Sequence, residues 1–69
     1  MKDNYIGRKL KITAIITQTG VYGNLPPGSH HRVIQPPGIT KNSHLGVWVM
    51  GEGEPAYLSS HEFIFIGKP

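Results

Sequence analysis

Two arginines, Arg8 and Arg32, and four histidines, His30, His31, His44 and His61, are the side chains of this 69-residue sequence best suited to chemistry. A guanidinium is a planar fork that holds a phosphate through two hydrogen bonds and stacks on a flat ring, so Arg8 and Arg32 rank first for gripping a nucleotide-like anion. Lys9 and Lys11 follow Arg8, and His30 and His31 precede Arg32, which extends each arginine into a short cationic run. An imidazole facing a phosphate near neutral pH readily takes the charged form, and His30 and His31, directly after Pro26-Pro27-Gly28-Ser29, are placed for that role. Trp48, Tyr22, Tyr57 and Tyr5 offer stacking faces. Tyr22, between Gly20 and Gly23, is expected in a loop with few neighbours to bury it. Trp48, between Val47 and Val49, is expected on the outer face of a strand, where core or interface packing competes with ligand stacking.

Other chemistries have weaker footing. A zinc site wants about four ligands in a tetrahedron, the chain has no cysteine, and adjacent His30 and His31 on a strand point to opposite faces, so no metal is expected. Ser29, Ser43, Ser59 and Ser60 lack the spacing of a nucleophile elbow or triad, and no strand-to-helix phosphate loop can form without a helix. Glu52, Glu54 and Glu62 are the only glutamates, two of them in one Gly-rich turn. The expectation is a protein that binds without catalysing and needs no cofactor.

Composition narrows the class further. Seven Lys and Arg oppose four Asp and Glu, net +3, and the charge is uneven. Residues 1–44 carry six cations, Lys2, Arg8, Lys9, Lys11, Arg32 and Lys41, against Asp3, net +5; residues 45–69 carry Lys68 against three glutamates, net −2. One side of the fold is therefore expected to be basic, either as an anion site or as lysines that keep a strand edge from aggregating. Only 16% of residues are charged, which is sparse for extended nucleic-acid contact. The longest apolar runs span four residues, far short of the roughly twenty of a membrane helix, and the N-terminus has no apolar leader region. The expected location is the cytoplasm.

Glycine and proline divide the chain into short strands at 9–17, 30–35, 45–50, 56–58 and 62–66, rich in β-branched and aromatic residues. The first alternates, with Leu10, Ile12, Ala14 and Ile16 on one face and Lys9 and Lys11 on the other, and Ile15 breaks the pattern. Long Gly/Pro-rich loops fill 18–29 and 36–44, each carrying a Pro-Pro-Gly turn, and residues 58–62 suit a single 3₁₀ turn capped by Ser59. The predicted fold is all-β: one small five-stranded barrel spanning residues 1–69. A single core this small, with no disulfide, also predicts a homo-oligomer, joined through an apolar strand face such as that of Trp48 or of residues 63–66.

The first strand after Tyr5-Ile6-Gly7, the long Gly-rich loop, Gly46-Val47-Trp48-Val49 and the entry from Ser59 to Phe63 resemble the small Src-homology-three-like and KOW-type barrels. The long loop offers Tyr22 but no acidic residue, unlike the lining of proline-peptide-binding domains of that shape. The segment from Gly46 through Met50-Gly51-Glu52-Gly53-Glu54-Pro55, with Leu58 and Glu62-Phe63, is also similar to short bacteriophage-encoded proteins. That likeness implies host cytoplasm and a role against host defences, in which some such proteins hold signalling nucleotides. Three functions stay open: sequestration of a small nucleotide-like anion, which leads; nucleic-acid binding; and inhibition of a host protein. Arg8, Lys9, Lys11, Tyr22, His30, His31, Arg32 and Trp48 are the candidate binding residues.

Overall fold

In the computed structural model, which describes residues 4–16 and 20–67, all regular structure except one 3₁₀ turn is strand. The strands are β1 (Lys9–Ile12), β2 (His30–Arg32), β3 (Gly46–Met50), β4 (Pro55–Ser59) and β5 (Phe63–Phe65), and the 3₁₀ turn is η1 (Gly20–Tyr22). Each strand overlaps a segment predicted to be one, although β1 stops at Ile12 and β2 is only His30-His31-Arg32, ending before the β-branched Val33 and Ile34. The alternation in β1 is realised in burial: Leu10 and Ile12 are fully buried, while Lys9 and Lys11 are exposed. Beyond Ile12, Ile15 is exposed and Ile16 packs against the core, so the pattern of faces outlasts the strand itself. Residues 17–19, the predicted end of that strand, lie outside the described residues.

The strands form two sheets, not a closed barrel. One is antiparallel in the order β2-β1-β5, the other is the hairpin β3-β4. The sheets are joined where the chain leaving β2 touches β3, through a Val33–Val49 bridge and a hydrogen bond from Ile34 N to Trp48 O. The joint is short for a local reason: Pro36 has no N–H to carry the ladder beyond Ile34. At the other seam β4 turns into β5 without pairing to it. The turn expected as 3₁₀ at 58–62 is a tight reversal after Ser59, closed by Glu62 N to Ser59 O (2.9 Å) and by Ser59 N donating to Glu62 Oε1 (2.8 Å). The 3₁₀ turn forms instead at Gly20–Tyr22, where Glu52 N donates to Val21 O (2.8 Å) and ties the first loop to the β3-β4 turn. Gly51 permits that approach, since a Cβ there would collide with Val21 O.

The core lies between the sheets: Leu10, Ile12 and Phe63 from one, Val47, Val49, Ala56 and Leu58 from the other, with Leu25 and Val33 from the connections. Among the described residues no helix is long and apolar enough to cross a membrane.

Asn42 is the one polar side chain in that buried set. Its Oδ1 accepts from Trp48 N (2.7 Å) and its Nδ2 donates to Ile34 O (3.0 Å). Ile34 and Trp48 face each other across the joint but exchange one direct bond, so the carboxamide stands in for the other, like a peptide group inserted into the ladder. Only a side chain with an adjacent acceptor and donor can do this.

Candidate functional site

The β1-β2 ribbon ends in the same device twice. Tyr5-Ile6-Gly7-Arg8 is a turn closed by Arg8 N to Tyr5 O (3.0 Å), and Pro26-Pro27-Gly28-Ser29 one closed by Ser29 N to Pro26 O (3.1 Å), with Gly7 and Gly28 both at φ +89° in third place. At each end two residues oppose one: Gly7 N donates to Val33 O while Val33 N donates to Arg8 O, and Gly28 N donates to Ile12 O while Ile12 N donates to Ser29 O. These are glycine-led β-bulges, and a bulge re-aims the side chain that follows it.

At the first bulge that side chain is Arg8. Its guanidinium carbon lies 4.0 Å from the Phe65 ring centroid, and Phe65 in turn stacks on Tyr5 (5.8 Å, 26°) and meets Phe63 edge-on (5.2 Å). A cation–π contact of this kind uses no N–H hydrogen bond, so the guanidinium's donors stay available to an anion. Arg32 reaches the same bulge, its Nη1 donating to Gly7 O (3.0 Å). Arg8, Lys9 and Arg32, together with Ile6, Gly7 and Ile66, line an open cleft of about 340 Å³. Among the described residues no carboxylate forms an ion pair with these cations.

On the outer face of the three-stranded sheet Lys9 sits directly opposite Arg32, and Lys11 opposite His30. The backbone bonds at Arg8/Val33 and Ile12/Ser29 make these two the non-hydrogen-bonded pairs, the kind in which side chains stand closest. Like charges directly opposite one another destabilise a sheet. Edge protection does not account for the lysines, because β1 is the central strand.

His31 belongs to the other face, opposite Leu10. Its Nε2 lies 2.9 Å from Ser29 Oγ, which itself donates to Pro26 O (2.6 Å). A carbonyl can only accept, so the single hydroxyl proton goes to Pro26 and the imidazole must donate Nε2–H to Ser29. Burial, and secondarily the neighbouring His30, holds the His31 pKa below its ordinary value of 6.5. The pair resembles a nucleophile and its base in composition only, since the proton runs the wrong way for His31 to activate Ser29.

The eight predicted residues therefore divide. Arg8, Lys9 and Arg32 meet in the cleft, and Lys11 and His30 continue the same face. His31 faces inward, so it is not part of the basic face as expected. Tyr22 is half-buried against the core and its hydroxyl donates to Tyr57 O (3.1 Å), which corrects the expectation of an open loop aromatic. Trp48 is on the outer face of β3, packed edge-on against Tyr57 (5.5 Å, 60°), in the sheet that does not carry the cleft. Phe65, on which Arg8 packs, is expected from the sequence only as part of an apolar strand face, and no local signal pairs the two, because they meet through the β1-β5 register of residues far apart in the chain. No family model, curated protein or solved structure matches this chain.

Proposed function

We propose that this protein binds a small phosphate-bearing anion of nucleotide type and holds it without turnover, the ligand's phosphate seated between Arg8, Lys9 and Arg32. The observation that carries this reading is the meeting of two arginines and a lysine, unpaired with any described carboxylate, in one cleft beside a glycine-led bulge. Enclosure by Tyr22 and Trp48 is not available within one subunit, and Phe65 and Tyr5 are taken up by Arg8, by each other and by the core, so ring stacking on the ligand is left to a second copy. Self-association belongs to the proposal: the outer face of β3-β4 leaves Met50 and Tyr57 exposed around Trp48, and the buried core is small. Sedimentation is expected to give a dimer or larger species, and a folded monomer at micromolar concentration would remove that part.

Calorimetry with thymidine 5′-monophosphate and inorganic phosphate tests the cleft. Arg8→Ala and Arg32→Ala should each weaken binding about tenfold, the scale of one charge-assisted contact, while Lys41→Ala in the second loop leaves it unchanged. Early melting with unaltered binding would make the arginines structural. The openness of the basic face favours nucleic acid as a second reading, and salt separates the two. A strand making six or more phosphate contacts loses roughly a thousandfold or more in affinity between 50 and 200 mM salt, whereas a single nucleotide has a shallow slope. Absence of binding to either leaves a host protein as the partner.

A further inference from the structure

The basic face is built twice. Ile66 N donates to Lys9 O (2.9 Å), so Arg32, Lys9 and Ile66 form one rung across β2, β1 and the residue just past β5. The next rung on the same face is His30, Lys11 and Ile64. Each rung runs from a nitrogen-bearing side chain on β2 through a lysine on the central strand to an isoleucine, Ile64 on β5 or Ile66 just beyond it. The first lines the cleft; the second lies two residues further along β1, about 6.8 Å away in a strand.

The geometry points to a second phosphate subsite at Lys11 and His30, so that the face takes a ligand with two phosphates joined through a nucleoside, a phosphodiester-linked dinucleotide unit. This rests on the reading of the cleft above and names its ligand class. Three observations support it. Lys11 and His30 stand opposite each other in a close, non-hydrogen-bonded pair, so an ammonium and an imidazole, both able to donate to phosphate oxygens, lie side by side on one face. Both are exposed, with no described carboxylate paired to them. The spacing between rungs suits successive phosphates separated by a sugar, whereas the two phosphorus atoms of pyrophosphate share one oxygen and sit too close to reach both. Ile64, half exposed beside Lys11, and Ile66 beside the cleft give the sugars and bases an apolar rail along β5. Neither isoleucine reads a base edge, so the subsite is expected to be indifferent to sequence.

The test is a titration of the full chain at fixed ionic strength with inorganic phosphate, pyrophosphate, thymidine monophosphate, the 5′-phosphorylated dinucleotide pTpT and an eight-residue oligothymidylate. The expected result is that pTpT binds about tenfold more tightly than the monophosphate, one added charge-assisted contact, while pyrophosphate gains nothing over phosphate. Lys11→Ala combined with His30→Ala should abolish the pTpT advantage and leave monophosphate affinity within about twofold; because both side chains are exposed, unchanged circular dichroism and melting confirm an intact fold. If phosphate and monophosphate bind but pTpT shows no advantage, the second subsite is overturned and the cleft stands. If none of the five binds, both fall. An oligothymidylate affinity equal to that of pTpT assigns the ligand to a free dinucleotide, and a much higher one with a steep salt slope assigns it to a nucleic-acid strand; either supports the paired subsites.

Discussion

Replacing Asn42 by alanine should cost this protein a large share of its stability. The side chain is buried and supplies two hydrogen bonds at the joint between the sheets, accepting from Trp48 N at 2.7 Å and donating to Ile34 O at 3.0 Å. Losing a hydrogen bond nets about 1 kcal/mol, and leaving a buried N–H or C=O without a partner costs about 1–3 kcal/mol, so the two together come to about 2–4 kcal/mol. A chain of this length has roughly 3–10 kcal/mol in all, at about 0.05–0.15 kcal/mol per residue. With about 4–8 °C per kcal/mol for a domain of this size, melting should fall by at least about 8 °C. Asn42→Asp is the informative companion: it keeps the acceptor for Trp48 N but turns a carboxylate oxygen toward Ile34 O, so it should be no more stable than the alanine variant at pH 7. Thermal melts followed by circular dichroism and by Trp48 fluorescence measure both. An Asn42→Ala melt within 3 °C of the parent, or an aspartate variant as stable as the parent, would refute the idea that the carboxamide replaces a rung of the ladder.

Further outcomes follow from the same geometry. Gly7→Ala places a side chain at φ +89° and should destabilise the fold by about 1–2 kcal/mol; because it disturbs the bulge that aims Arg8, phosphate affinity should fall with it, whereas Gly28→Ala at the opposite bulge should lower the melting temperature and leave binding unchanged. His31 holds its proton less tightly in the fold than in the unfolded chain, so its contribution is full above about 6.5 and is lost as pH falls from there through its lower folded value. Melting temperature should drop between pH 7 and 5, and the drop should be smaller in His31→Gln. Glu62→Ala removes the acceptor for Ser59 N and should cost about 1 kcal/mol in a urea melt, and Glu62→Gln, which keeps a side-chain oxygen, should recover most of it.

The local choices are legible in the amino-acid order alone. Alternation in 9–12 separated Leu10 and Ile12 from Lys9 and Lys11, since a strand has a period of two whatever it pairs with. Turn residues mark the breaks between all five strands, and guanidinium chemistry ranks Arg8 and Arg32 first among the candidate side chains. Tertiary structure alone decided which of these local pieces meet. That β1 is the central strand, that Lys9 faces Arg32 and Lys11 faces His30, and that Tyr22 turns into the core are facts of register and loop path between residues far apart in the chain. The same holds for the open pair of sheets in place of a barrel. Asn42 was invisible to pattern because an asparagine in a polar loop looks like any turn residue until Ile34 and Trp48 are brought to either side of its carboxamide.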